Sequence, residues 1–289
     1  MTTTTVALAG GRVLDVLVDG PLDGRVVLAH HGTPSTATFW HDWAEPLRDV
    51  GFSLVAYTRP GYTGSTRQLG RRVADAAADA VALMDALGVV SAAQLGYSGG
   101  CPHALAVGAL APERCSRVVT VAGPVPFDAE GVDFTDGMGA ENVDEFGAAA
   151  AGLSAVEAWL EEFGRPMLEA SSEQIGAAFG DLVDDTDREV LAQGWADDVA
   201  AEFHRVGEGG IGGWADDDIA FVTPWGFEPT DVGVPVTLWH AGLDRMAPVS
   251  HSRWFARRLR NADYREVDGL GHLALLRHYR RQIIASLAG

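Results

Sequence analysis

The sequence predicts an α/β fold: a mostly parallel central sheet flanked by helices, with a helical segment inserted into it. Three observations predict this. From Arg25 to Val121, apolar strand-like runs alternate with helix-periodic runs, the pattern of parallel strands joined by crossover helices. One strand-to-helix junction carries Gly96-Tyr97-Ser98-Gly99-Gly100, a Gly-x-Ser-x-Gly pentad. The alternation stops after Gly123-Pro124, gives way to a helical, acidic, alanine-rich stretch, and resumes at Pro235. A chain of 289 residues that is 47% apolar can bury one large core of this kind.

Val6 to Leu8 and Arg12 to Val18 read as short strands joined at Gly10-Gly11. Asp19-Gly20-Pro21 and Asp23-Gly24 are turn signals. Arg25 to His30 is a compact apolar strand, and a helix follows through Trp43, Ala44 and Leu47. Phe52 to Tyr57 is the next strand, leading into a glycine-rich loop, Arg59 to Ser65. From Arg72 to Leu87, residues Ala76, Ala80, Leu83, Met84 and Leu87 share one helical face, and Gly88 ends the helix. Ala92 to Leu95 is strand-like, Cys101 to Leu110 helical, and Arg117 to Val121 a strand. After the insertion come a strand at Pro235 to Trp239, a helix at Ser250 to Leu259, a strand at Tyr264 to Val267 and a final helix at Leu273 to Leu287. The division is a sheet domain of residues 1–124 and 231–289, interrupted by residues 125–230.

Net charge is −19, and every side-chain cation other than histidine is arginine. The stretch from Val125 to Asp231 holds 26 of the 40 Asp and Glu residues but only three of the 21 arginines. Most of these carboxylates read as a solvated helical surface. Their field also disfavours anionic substrates and favours neutral or cationic ones. So acidic a body repels phosphate backbones and anionic lipid, which argues against nucleic-acid and membrane partners. No run of about 18 apolar residues suggests a membrane span, and the start lacks the basic and apolar segments of a secretory signal, so the expected location is cytoplasmic. Cys101 and Cys115 form no metal-type pair and read as small buried residues. A thiolate at Cys101, at a helix start, would be the alternative nucleophile.

In the Gly-x-Ser-x-Gly turn, the serine sits on a strained bend where flanking side chains would collide, so Gly96 and Gly100 answer a steric need. The hydroxyl of Ser98 then projects above the sheet, beside the N–H groups of a new helix. Serine needs a base, and the base needs an orienting acid. His272, in Gly269-Leu270-Gly271-His272, and Asp244, in Gly242-Leu243-Asp244, both follow strands at the edge where open α/β sheets build their sites. Asp244 could instead cap the next helix. His30 and His31 are adjacent on a strand and face opposite ways, which suits structural roles better than a metal. The run Gly209-Gly210-Ile211-Gly212-Gly213 reads as a flexible turn, not a phosphate loop. Among the aromatics near the expected pocket (Phe39, Trp40, Trp43, Tyr97 and four tryptophans of the insertion), one or two are expected to line it.

His31-Gly32-Thr33-Pro34, the loop Arg59-Pro60-Gly61-Tyr62-Thr63-Gly64-Ser65, the Ser98 turn, the Gly-x-Asp at Asp244 and the Gly-His pair at His272 together resemble the α/β-hydrolase superfamily over essentially the whole chain. The resemblance implies an α/β-hydrolase fold in which residues 125–230 form a helical cap. It implies a catalytic triad of Ser98, Asp244 and His272, with Asp128 as the rival acid because some family members place the acid after the strand ending near Val121, and an oxyanion hole built from the N–H groups of Thr33 and Gly99. The expected activity is that of a carboxylesterase acting on a small-to-medium ester through an acyl-enzyme, without metal or organic cofactor. The expected partner is a small molecule, and no partner chain is implied beyond a homodimer. Family members with an aspartate nucleophile, the haloalkane dehalogenases and epoxide hydrolases, are disfavoured by serine at 98. Two alternatives stay open: an aminopeptidase or amidase similar to proline iminopeptidases, whose caps use acidic groups to hold an amine, and a non-catalytic small-molecule-binding protein on the same fold.

Overall fold

The computed structural model describes residues 1–288. Eight strands form one sheet in the order β1-β2-β4-β3-β5-β6-β7-β8. They are β1 (Thr2–Ala7), β2 (Val13–Asp19), β3 (Arg25–His30), β4 (Phe52–Tyr57), β5 (Ala92–Tyr97), β6 (Cys115–Val121), β7 (Val236–Ala241) and β8 (Ala262–Val267). The pairs β1–β2 and β2–β4 are antiparallel, and every other pairing is parallel. The helices are α1 (Ala44–Asp49), α2 (Asp75–Leu87), α3 (Gly100–Leu110), α4 (Ala140–Ala151), α5 (Leu153–Trp159), α6 (Arg165–Leu168), α7 (Ser172–Ala178), α8 (Asp185–Val190), α9 (Ala196–Glu208), α10 (Gly212–Val222), α11 (Ser250–Arg258), α12 (His272–His278) and α13 (Arg280–Ser286). Helices α4 to α10 all lie between β6 and β7 in the chain, as the break in alternation predicts.

The central strands are continuous apolar runs because both faces are covered. In β3, Val26 and Leu28 enter the core on one face of the sheet, while Val27 and Ala29 enter the core on the other. Sequence and structure agree residue for residue on β3 and β4. The first strand is longer than expected. Its four threonines are exposed on an edge strand, so no apolar alternation marks it. The final helix is not continuous: α12 and α13 break at Tyr279, whose ring packs against Trp239.

Chain order reverses across β3, which lies between β4 and β5. At such a switch point the loops leaving the strands diverge and open a crevice. Because His30 pairs with Gly96, the loop after β3 and the turn after β5 emerge side by side. The loop after β7 and the one before α12 lie further along the same edge, held together by Gly242 N–H to Val267 C=O (2.8 Å) and Leu243 N–H to Leu270 C=O (2.9 Å).

Candidate active site

Ser98 has φ +50°, a left-handed conformation rarely adopted outside glycine. Its N–H donates to the Val121 carbonyl at 2.8 Å, and its own carbonyl accepts from Cys101 N–H at 2.9 Å. The turn tolerates no larger neighbours. A Cβ at position 96 would lie 2.7 Å from Cys101 Cα, and one at position 100 would lie 2.6 Å from the His31 carbonyl oxygen. Both glycines therefore meet the steric need read from the pentad. Cys101 is buried, makes sulfur contacts to the Gly96 and Val121 carbonyls, and has its thiol pKa pushed up by burial. That disposes of the thiolate alternative.

His272 Nδ1 lies 2.7 Å from Asp244 Oδ2. The other oxygen of Asp244 accepts the N–H groups of Met246 and Ala247, each at 2.9 Å. Burial would push the Asp244 carboxyl up, but the imidazoles of His272 and His240 outweigh it and hold the group well below the usual carboxylate range. Burial likewise opposes a charge on His272, and the carboxylates of Asp244 and Asp187 outweigh that, raising its pKa. Asp128, the rival acid, is exposed and makes no bond to His272. Among the other histidines, His204 and His278 are exposed, His103 bonds the Gly99 carbonyl, and His251 lies against the Phe134 carbonyl.

Ser98 and His272 line one cavity of about 770 Å³. Ser98 Oγ makes no hydrogen bond to His272 Nε2 in this arrangement, and neither atom has another protein partner among the described residues. Thr33 and Gly99 line the same cavity, and their backbone N–H groups donate to no protein acceptor among the described residues. Phe39, Tyr97, Trp159, Trp195 and Trp214 all reach the cavity, more aromatics than expected, whereas Trp40, Trp43 and Trp225 do not.

Beneath Thr33 lies a charge cluster that composition gave no hint of. Asp217, on α10, is fully buried. Its oxygens accept from Arg59 Nη2 (2.6 Å), Arg71 Nη2 (2.6 Å), Tyr62 Oη (2.7 Å) and Thr33 Oγ1 (2.8 Å). Burial would raise the pKa of Asp217, but Arg59 and Arg71 hold it well below the usual range. Arg59 also donates to the carbonyls of His31 and Gly32, and His31 Nε2 accepts the Arg59 N–H at 3.0 Å. His31 is thus structural, as expected, and so is His30, which bonds Tyr57 and Gln94.

Most of the insertion's carboxylates lie at the surface, as read from the sequence, but five do not. Glu145, Asp187, Asp216, Asp217 and Asp218 are all buried. Glu202 accepts from Ser35 Oγ, Thr36 N–H and Thr38 Oγ1 at 2.6–3.0 Å. Asp187, Asp216, Asp217 and Glu202 therefore serve as acceptors for groups of the sheet domain, whereas Glu145 accepts from Trp214 Nε1 within the insertion. Nor is the glycine run at 209–213 merely a flexible turn. A Cβ at Gly213 would lie 2.7 Å from the Gly61 carbonyl carbon and 2.6 Å from the Tyr62 ring, so these glycines let α10 approach the Arg59 loop closely enough for Asp217 to reach it.

The α/β hydrolase fold family matches residues 25–279. The chain belongs to that family. It is 34% identical to a non-heme chloroperoxidase from Streptomyces lividans over 134 residues, 46% of this chain and 49% of that protein. It is 31% identical to epoxide hydrolase B of Mycobacterium tuberculosis over 127 residues, 42% of this chain and 35% of that protein. The chain thus spans a third to a half of the curated relatives it matches. An alpha/beta hydrolase fold protein from Nakamurella multipartita is similar over 100% of both chains, with 25% identity and a TM-score of 0.64. The chain is a hydrolase-family protein, and no helix among its described residues is long and apolar enough to cross a membrane.

Proposed function

We propose that this protein is a serine hydrolase that cleaves a small-to-medium carboxylic ester through an acyl-enzyme, with the helical insertion as a cap over its site. The observation that carries this reading is the 2.7 Å His272–Asp244 pair opening onto the same cavity as Ser98. Asp244 fixes the imidazole with Nδ1 protonated, which leaves Nε2 free to accept the serine proton. As Ser98 Oγ adds to the ester carbonyl, its proton passes to His272. The carbonyl oxygen becomes an oxyanion against the free N–H groups of Thr33 and Gly99. Each such donor lowers the barrier by about 3–4 kcal/mol. Collapse expels the alcohol, protonated by His272. Water then loses a proton to His272, attacks the acyl-enzyme and releases the acid. The Ser98–His272 hydrogen bond closes once substrate is in place, as such bonds are often long in free enzymes.

The relative named for epoxide hydrolysis matches less than half of this chain. An aspartate nucleophile, which the family's epoxide hydrolases use, is not available where Ser98 stands. Aromatic walls and acidic side chains favour a neutral or cationic substrate. Glu145 and Asp218, buried carboxyls lining the cavity, favour a second reading, an aminopeptidase or amidase whose substrate amine they would hold. Fluorophosphonate labelling of the wild type, lost in Ser98→Ala, tests the nucleophile. Comparing p-nitrophenyl esters with aminoacyl anilides tests the substrate class, and faster turnover of the anilides would overturn the ester reading.

A further inference from the structure

Helix α12 begins at His272, and its N-cap residue is Gly271. Helix N-termini expose N–H groups that a serine, threonine or aspartate at the cap position normally satisfies. Glycine has no side chain to offer. The acceptors come instead from the insertion, 85 or more residues away in sequence. Thr186 Oγ1 accepts the Gly271 N–H at 2.9 Å. Asp187 Oδ2 accepts the N–H of His272 itself at 3.1 Å, and Asp187 Oδ1 accepts those of Leu273 and Ala274, both at 2.8 Å. Four consecutive backbone donors are thus met by two adjacent side chains of another part of the chain.

The acceptors are themselves held. Asp184, the N-cap of α8, takes the Asp187 N–H at 2.9 Å and the Thr186 hydroxyl proton at 2.8 Å. Asp187 is buried, with 1% of its surface exposed. Glycine at 271 is a steric requirement of this joint, since a Cβ there would lie 2.5 Å from Asp184 Oδ1 and closer still to Asp187. The segment gripped in this way is the one that carries the imidazole paired with Asp244.

Resting on the reading of His272 as the general base, we propose that Asp187 is a positioning residue that sets the base from the cap. It anchors the first turn of α12 so that His272 meets Asp244 on one side and the cavity on the other. The base is then in register only while the insertion is seated on the sheet domain. Asp187 touches no substrate and transfers no proton.

The test compares wild type, Asp187→Ala and Asp187→Asn, each checked for folding by circular dichroism. Steady-state hydrolysis of a p-nitrophenyl ester is measured together with the rate of fluorophosphonate labelling. Displacing a catalytic group by about 1 Å costs on the order of 100-fold. In Asp187→Ala, kcat and the labelling rate should therefore fall about 100-fold with KM unchanged. Asparagine keeps one oxygen for the Leu273 and Ala274 N–H groups and should recover about tenfold of that loss. A folded Asp187→Ala with wild-type kcat, or a loss confined to KM, overturns the proposal. If the alanine variant does not fold, Asp187→Asn decides: lowered kcat at unchanged KM supports the proposal and wild-type kcat overturns it. The His272 Nδ1–H proton resonance, identified by its absence in His272→Ala, reads the same placement without substrate. It should shift or broaden in both Asp187 variants, and an unchanged resonance overturns the proposal. Should wild type neither label nor turn over, the hydrolase reading fails on its own, and the resonance still decides the role of Asp187.

Discussion

Replacing Asp217 with alanine removes one carboxylate and strands two buried arginines. Arg59 and Arg71 each lie 2.6 Å from an Asp217 oxygen, and both guanidinium groups are almost wholly out of water. Tyr62 and Thr33 lose an acceptor as well. Breaking a buried pair by removing one partner costs about 3–5 kcal/mol, because the remaining charge stays desolvated and unpaired. At about 2 °C per kcal/mol for a chain of this size, Tm should fall by roughly 6–10 °C. Function should fail with it. Arg59 holds the Gly32 carbonyl at 2.7 Å and Thr33 Oγ1 at 2.9 Å, so a displaced guanidinium moves the Thr33 N–H. In the proposed mechanism that N–H is one of two oxyanion donors, and losing one costs about 10²–10³ in kcat. Asp217→Asn keeps the shape without the charge and should fall between wild type and alanine. The assay is a thermal melt followed by circular dichroism, with ester hydrolysis measured well below each variant's transition. A Tm within about 2 °C of wild type, or an undiminished kcat, would refute the reasoning.

Further outcomes follow from the same geometry. As the proposed base, His272 must be neutral to accept a proton, and its pKa is raised, so kcat/KM should fall with acidification through a midpoint above about 6.5, the ordinary histidine value. Asp244→Asn leaves the shape but removes the control of tautomer, and should lower kcat by about 10⁴-fold in steady-state assays. Burial pushes the Glu145 carboxyl up to about 7, and burial together with Glu145 pushes Asp218 up well beyond the usual range. A carboxyl raised on folding gives stability that is full below its unfolded pKa and is lost as pH rises through the folded value. Glu145→Gln, which still accepts from Trp214 Nε1, should therefore melt higher than wild type at pH 9 and lose that advantage at pH 5. Gly213→Ala drives a methyl into Gly61 and Tyr62, and should lower both Tm and kcat by lifting α10 away from Arg59.

The sheet and the serine turn were legible because they rest on local rules. Buried parallel strands are apolar along their length, as in β3, and a strand-to-helix bend around serine demands glycine on both sides. The pairing of Asp244 with His272 was legible because each sits in a short glycine-containing loop just after a strand. The insertion was different. Asp217 stands within Asp216-Asp217-Asp218, which reads as a solvated run, and only the meeting of α10 with the Arg59 loop reveals it as a buried acceptor. Asp187 is hidden in the same way among Asp184, Asp185 and Glu189. One signal was available: Gly271 precedes α12 where a capping side chain is usual, and an uncapped helix start asks for acceptors from elsewhere. The glycines at 209–213 announced close packing as much as mobility, and choosing between the two required their neighbours.

The most direct test of the central claim is to catch the acyl group on Ser98. Wild-type protein mixed with excess p-nitrophenyl ester, acid-quenched on the millisecond scale and digested, should yield a peptide spanning Ser98 that has gained the mass of one acyl group. The adduct should vanish in Ser98→Ala. A folded enzyme that hydrolyses the ester while Ser98 stays unmodified, or that carries the acyl group on another residue, would contradict the account.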